Sequence, residues 1–468
     1  MRKLALAGLS LLLGACGLGA APRSPAPRQL QPGFQNLSEA PPEAAAPAAF
    51  WRTLGDSTLI RLLGGALQNN LDVRVAESRV LGARSARLQA ALDLAPTITT
   101  RGGYTRQRLS GAGFPGFGGA FPDQDVWDAG VEASWEIDVF GRLRRNLQGE
   151  GALVASAREG LRDVQILLAA ELATTYFELR GAQSGLAVAE RNAENQRRSL
   201  RLTRQRLDAG RGTPFDTERA SAQLNSTLAA IPLLHSRIAS AQYRIGVLVG
   251  RAPGAVAPEL ATRAAPPALP ASLPVVDSRS FVLQRPDVVS AERLLAAQSA
   301  FVGSARSEYL PRLDLFGSAG LTATTFDSLG KSGASRYAVG PVISWPALNL
   351  GRVKARVDAA RARQSEARAR YEQTVLRAAS EVETSLVTYR TAGARLAFLG
   401  DAAAASERAA DLARLRFEGG VADFLQVLDA QRTVLEAQSQ LEQVRTEATT
   451  ALVAVYRALG GSWPAGAE

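Results

Sequence analysis

Two halves of this chain match at a nearly fixed offset, and that duplication constrains the fold more than any local signal. Asn70-Leu71-Asp72-Val73 parallels Arg285-Pro286-Asp287-Val288, and Leu94-Ala95-Pro96 parallels Tyr309-Leu310-Pro311, both pairs about 215 residues apart. Further on, Trp135 answers Trp345, and Gly141-Arg142 answers Gly351-Arg352. Arg206-Leu207-Asp208-Ala209-Gly210 answers Arg416-Phe417-Glu418-Gly419-Gly420, and Gly250 answers Gly460, with offsets of about 210. The offset slips by roughly five residues between the Pro and Trp markers, where one loop can be longer than the other.

Each half reads helix, strand, strand, long helix, turn, helix. The first repeat is expected at 51–250, with strands about 97–110 and 126–140 and long helices 143–209 and 214–249. An Ala- and Pro-rich linker at 251–275 leads to the second repeat at 276–461. Its strands are expected about 312–325 and 336–346, its long helices at 352–418 and 423–459, and a tail follows at 462–468. No Pro interrupts the first long helix of either half. At 1.5 Å per residue each could reach about 100 Å. Leu161, Gln165, Leu168, Leu172, Tyr176 and Leu179 form a seam with steps of three and four, and Tyr371, Val375, Ala378, Val382, Leu386 and Tyr389 repeat it. Such lengths favour a bundle or tube of long helices over a compact domain.

The strands alternate with period two. Trp127, Ala129, Val131, Ala133, Trp135, Ile137 and Val139 share one face, and Asp128, Gly130, Glu132, Ser134, Glu136 and Asp138 the other. The second half sets Leu313, Leu315, Ala319 and Leu321 against Arg312, Asp314, Ser318 and Thr322, followed by Tyr337, Val339, Ile343 and Trp345. This pattern suits a barrel wall between lipid and water, with Trp127 and Trp135 near the aromatic girdles. Acids on the wet face, partly offset by Arg101, Arg106 and Arg312, predict a mild cation preference. Four strands cannot close a barrel, whose known minimum is about eight. Two chains would give about eight strands and three about twelve; a barrel of about eight is filled by its own side chains, so a conduit favours three or more.

Composition excludes several classes. The chain is 46% hydrophobic and 21% charged, which rules out a disordered or collagen-like chain. One Cys excludes a disulfide framework or zinc ribbon, and one His with one Met speaks against a buried metal cluster. A net charge of +10 invites a nucleic-acid reading. Lys occurs only at 3, 331 and 354, and the many Arg are spread along helices beside acids, so solvated helix faces are expected and no nucleic acid. His235 follows Pro232 in an apolar run and reads as a packed or surface residue. No Ser has a visible His–Asp companion set, and neither catalysis nor a cofactor site is expected.

The N-terminus is an address. Residues 1–15 form a signal peptide: Arg2 and Lys3, an apolar stretch from Leu4 to Leu13, then Gly14 and Ala15. The sole Cys follows in Leu13-Gly14-Ala15-Cys16, which resembles the bacterial lipobox. Cys16 would carry S-diacylglycerol and N-acyl (palmitate) chains, the only attached group expected, and several acyl chains anchor stably. Gly17, rather than Asp, implies the outer membrane, and residues 16–50 would be a lipidated Ala- and Pro-rich tether.

With these pieces in order, nearly the whole mature chain resembles the outer membrane factor family of TolC and OprM, on the side of its NodT-like lipoproteins. The matching residues are Phe50-Trp51 with Asp56, Ala66-Leu67-Gln68-Asn69-Asn70, Tyr309-Leu310-Pro311, Gly420, Val427-Leu428-Asp429-Ala430-Gln431-Arg432 and Leu459-Gly460-Gly461. The resemblance implies an α+β membrane protein. Four strands per chain would make a twelve-stranded barrel in a homotrimer, continued by a long α-helical periplasmic barrel. It implies a passive conduit for efflux of small molecules such as drugs, partnered by a periplasmic adaptor (a membrane fusion protein) and an inner-membrane pump of the resistance-nodulation-division class. Asp208, Gly210, Gly212, Glu418 and Gly420 would be the adaptor-contact tips. Leu425, Asp429 and Arg432 would form the periplasmic gate, with Glu418 a departure where the family can carry a basic residue. The alternatives are the outer channel of a type I protein secretion system and a lipid-anchored coiled-coil scaffold without a pore.

Overall fold

The computed structural model of the chain describes residues 50–110, 121–263, 267 and 282–461. The signal peptide, Cys16, the tether to residue 49, much of the first strand–strand loop and the tail at 462–468 lie outside the described residues. The elements run α1 Phe50–Thr53, α2 Ser57–Asn69, α3 Leu71–Leu92, β1 Thr97–Gln107, β2 Gln124–Ile137, α4 Arg142–Asp208 and α5 Pro214–Leu248. They continue as α6 Ala257–Leu260, α7 Pro286–Ser307, β3 Arg312–Ala323, β4 Ser335–Ser344, α8 Leu350–Glu418 and α9 Phe424–Ala458. All four strands stop two or three residues before their expected ends. Among the described residues no helix is long and apolar enough to cross a membrane.

The compact units are not the sequence halves. One unit is built from Arg79–Arg158 and Ser290–Glu372; the other comprises residues to Ser78, Glu159–Val289 and the chain from Gln373 onward. Each half therefore contributes to both units.

The first unit holds one antiparallel sheet in the order β1-β2-β3-β4. Its register pairs Gly130 with Gly320 and Glu136 with Asp314, and it sets Arg101 opposite Gly130. Because side chains alternate, the register also fixes the faces. Tyr337, Val339 and Ile343 of β4 are 85%, 73% and 71% exposed on the apolar face. On the polar face charges pair with one another: Arg336 Nη2 lies 2.6 Å from Asp128 Oδ1, and Arg101 Nη1 lies 3.6 Å from Glu132 Oε1. Arg106 is a correction to the sequence expectation. It pairs with Asp125 of β2 and so shares the face of Trp127, not that of Arg101. Arg336, which the alternation alone does not single out, takes its place on the polar face.

The duplication reappears here as a duplicated contact. The Trp135 indole N–H donates to the Leu94 carbonyl at 2.8 Å, and the Trp345 indole donates to the Tyr309 carbonyl at 3.0 Å. Both acceptors begin the repeated X-X-Pro triplet. A half-buried Trp needs an acceptor for its one polar atom, and the turn before each strand pair supplies it.

In the second unit the main core gathers Leu59, Leu62, Ala66, Leu172, Tyr176, Phe177, Leu179, Ile245, Val256, Leu260, Val453 and Tyr456, nearly all fully buried. The expected linker is thus corrected in part: Val256 and Leu260 are 0% exposed and belong to this core. The apolar side chains of Val256 and Leu260 gain more from burial than a free connector could. A buried polar network runs through the same core. The Tyr176 hydroxyl donates to Asp56 Oδ2 at 2.6 Å, and Arg180 donates to the Tyr176 oxygen at 3.0 Å and to the Thr262 carbonyl at 2.6 Å. Asp56 Oδ1 meanwhile caps α2 by accepting from Thr58 and Leu59 N–H. Burial, then the bond to Asp56, pushes the Tyr176 phenol up to about 12.

Asp163 of α4 sits among Arg285, Asp287, Glu381 and Arg457. Burial first, then the Asp287 charge, raises its carboxyl to about 6, against the pull of Arg285 and Arg457. A raised folded-state value means that the neutral form is favoured in the fold. That stability is fully present below about pH 4 and is lost as the pH rises through about 6. Asp163→Asn, neutral throughout, is therefore expected to raise the thermal midpoint at pH 7.5. The gain should be about 1–2 kcal/mol after discounting for partial exposure, and should vanish near pH 4. A gain of equal size at both pH values would contradict the assignment.

Candidate functional site

The two helix turns that the sequence marks as tips are built alike. After α4, the Gly210 N–H donates to the Leu207 carbonyl at 2.9 Å, and the Arg211 N–H to the Arg206 carbonyl at 2.8 Å. After α8, Gly420 donates to Phe417 at 3.0 Å and Val421 to Arg416 at 2.9 Å. This is the Schellman pattern, which needs a left-handed residue at its fifth position. Gly210 and Gly420 supply it with φ of 66° and 76°. At Gly212 the chain passes so near the helix end that a Cβ would lie 2.9 Å from the Leu207 nitrogen. Asp208, Gly210, Glu418 and Gly420 are exposed.

The two tips differ in how the next helix begins. Thr213 caps α5, accepting from the Asp216 N–H at 3.2 Å and donating to Asp216 Oδ2 at 2.7 Å. Asp423 at the start of α9 makes no such side-chain cap. The second tip is held from another direction. Arg206 of α4 donates to the Phe417 carbonyl at 2.9 Å, and its guanidinium lies 4.0 Å from the centre of the Phe417 ring. Phe417 packs on Phe424 at 5.2 Å in a buried cluster with Leu200, Leu224, Val427 and Leu428. Arg206 thus ties the end of one long helix to the end of its repeat. The sequence showed the Arg206/Arg416 correspondence, but the asymmetric clamp is a tertiary contact that no local pattern carries. Arg206→Ala is expected to loosen the α8–α9 turn by about 1–2 kcal/mol. Faster amide exchange at Gly419–Val421, with the main core around Tyr176 and Leu260 unchanged, would register it; unchanged exchange would contradict it.

The three residues expected to form the gate, Leu425, Asp429 and Arg432, fall on one face of α9. Leu425 is 45% exposed, and Asp429 and Arg432 are also exposed. Phe424, Val427 and Leu428 turn the other way into the core. Arg432 Nη2 lies 3.1 Å from Asp429 Oδ1, and Arg432 Nε lies 3.8 Å from Glu436. The chain brings these three together only as neighbours on one helix. Glu418 finds a partner in Arg414, 3.1 Å away one turn back, and Arg414 also lies 3.7 Å from Asp411. These exposed pairs contribute little alone. Among the described residues no group of His, Cys, Asp and Glu is disposed to hold a metal ion.

Comparison with known proteins shows the same division into halves. The family described as "Outer membrane efflux protein" matches residues 62–251 and 279–461, one stretch per repeat. The chain is 32% identical over 411 residues to the solvent efflux pump outer membrane protein SrpC of Pseudomonas putida, covering 87% of this chain and 86% of that protein. It is 29% identical to a probable outer membrane lipoprotein, SilC, of Salmonella typhimurium, covering 94% of each. Among solved structures, the outer-membrane channel OprN superposes with a TM-score of 0.88 at 36% identity, over 96% of this chain and 100% of that one.

Proposed function

The chain belongs to the outer membrane efflux protein family, and from that premise we propose that it is the outer-membrane conduit of a tripartite efflux system, working as a homotrimer. The observation that carries the proposal is the sheet itself. It has four strands in sequential order, and β1 and β4 each pair on one side only. Unpaired strand edges cannot stand in hydrocarbon, because each free N–H and C=O there costs several kcal/mol. Copies of the chain satisfy both edges: three give about twelve strands and a lumen wide enough for water. The apolar face then meets lipid and the charged face lines the bore.

The helical part forms the periplasmic tunnel, and its tips at Asp208–Gly212 and Glu418–Val421 meet the adaptor. The face of α9 bearing Leu425, Asp429 and Arg432 points into the bore near its periplasmic end. Three Leu425 side chains obstruct it by excluding water, and three Asp429 carboxylates, each offset by Arg432, form a charged ring beside them. Drive comes from the pump, and the channel itself does no chemistry. Cys16 carries the lipid, in keeping with the lipobox. SrpC serves solvent efflux, so small apolar compounds are a fair first cargo to test.

Full-length protein extracted from outer membranes and reconstituted in planar bilayers should conduct ions in discrete steps. The mature chain should begin at an acylated Cys16 in its intact mass. A protein that inserts and never conducts would sink the conduit reading.

A further inference from the structure

Two apolar residues stand on the polar face of the sheet. On β3 the even-numbered side chains share the face of Asp128 and Arg336, and Phe316 is among them, between Asp314 and Ser318. On β4 Val342, directly opposite Asp314, lies on the same face. Phe316 is 38% exposed and Val342 53%. A large apolar side chain facing water forgoes the gain of burial, so its presence among charged neighbours asks for a reason. The common structural reason for an aromatic in a sheet is to cover a glycine on the next strand. Gly340 is opposite Phe316, yet a Cβ built on Gly340 would meet nothing within 4 Å. The ring therefore leaves that glycine uncovered. Its other cross-strand neighbour, Ser134, is also small.

The carboxylate beside it is equally unusual. Among the described residues the Asp314 carboxylate makes no hydrogen bond or ion pair. Glu136 lies directly opposite, and like charges so placed destabilise a sheet. Glu136 is held by Arg142 at 2.6 and 2.9 Å, and Arg312 pairs with Glu308 at 4.0 Å. Asp128 and Glu132 of the same face are paired with Arg336 and Arg101. Directly opposite residues have Cβ atoms about 4.5–5.5 Å apart, and alternate residues on one strand are about 7 Å apart. Asp314, Phe316 and Val342 are thus within reach of one small molecule.

We propose that these three residues form a contact site on the bore wall for organic cations with an aromatic or aliphatic body. The ring and Val342 take up apolar surface, the ring face attracts positive charge, and the free carboxylate complements it. The site is open to the bore, so each encounter is weak and brief, as passage through a conduit requires. It is present once in every copy. The inference rests on the conduit reading above.

Single-channel recording of the full-length protein tests it, with benzyltrimethylammonium as the probe. Tetramethylammonium, with the charge and no ring, and toluenesulfonate, with the ring and the opposite charge, are the comparisons. Benzyltrimethylammonium should lower the wild-type current in brief reversible steps at concentrations where the other two do not. Phe316→Ser should weaken this effect about fivefold and Asp314→Asn about threefold. Phe316→Tyr and Asp314→Glu, which keep the ring and the charge, should retain it. If Phe316→Ser responds as wild type does, or if all three probes act alike, the site is overturned. A wild type that conducts and is not blocked overturns the site and leaves the conduit standing. A wild type that inserts and never conducts overturns the conduit reading and the site with it.

Discussion

Arg285→Ala should destabilise the second unit by about 3–5 kcal/mol, the cost of removing one partner from a buried ion pair. The Arg285 side chain is only 8% exposed and serves three acceptors. Its Nη1 donates to the Ala458 carbonyl at 2.8 Å, its Nε and Nη2 to Asp287 at 3.0 and 2.8 Å, and Nη2 also to Glu381 at 2.9 Å. Alanine would orphan the Ala458 carbonyl at the end of α9 and leave Asp163, Asp287 and Glu381 without the guanidinium between them. Loss of the Arg285 charge would push the Asp163 carboxyl, already raised to about 6 by burial and the Asp287 charge, further up, so the deficit should be larger at pH 7.5 than at pH 5. Arg285→Lys should recover only part of the loss, since a point charge cannot reproduce the guanidinium fork. Thermal or denaturant midpoints at the two pH values check this. A deficit that is small, or larger at pH 5, would contradict it.

Gly250→Ala should cost on the order of 4 kcal/mol, combining a left-handed backbone with overpacking against main chain. Gly250 has φ of 70°, and a Cβ there would lie 2.3 Å from the Asn69 carbonyl oxygen, an atom that cannot rotate away. The three sister glycines calibrate the estimate. At Gly460 the nearest atom would be Arg285 Cγ at 3.1 Å, and at Gly210 and Gly420 nothing lies within 4 Å. The expected order of damage is Gly250 greatest, Gly460 next, and Gly210 and Gly420 least, the last two reflecting backbone strain alone. Equal costs at all four would show that φ, and not the contact at Asn69, decides.

These two positions also show what the duplication conveys and what it hides. Asn70 and Arg285 are equivalent in sequence, and they do equivalent work. Asn70 Nδ2 donates to the Leu248 carbonyl at 2.9 Å, as Arg285 does to that of Ala458. The offset made that correspondence legible, and the Trp135 and Trp345 pair likewise. It could not reveal that the guanidinium of the second half gathers a carboxylate cluster around it. Asp163 and Glu381 come from helices far away in sequence, and their proximity is purely tertiary. The same holds for Arg206 on Phe417.

Element types were legible from periodicity, whereas strand ends were not, because alternation continues into the turns at Val139 and Trp345 after the hydrogen-bonded ladder has stopped. The linker at 251–275 looked like a connector by composition, yet Val256 and Leu260 find a core to fill. The face of Arg106 was misjudged because β1 is the least regular strand, and only its register with β2 fixes it. The gate residues are a different case. The proposed ring of Leu425 and Asp429 would form only between copies, so one chain can display its face but not its closure.

The central claim is that copies of this chain share one barrel around a continuous lumen. Electron microscopy of the detergent-extracted full-length protein tests it most directly. End views with threefold symmetry around a stain-filled or density-free centre are the expected result. A monomer, or an assembly without a lumen, would contradict the shared barrel and with it the reading of β1 and β4 as edges completed by neighbouring copies.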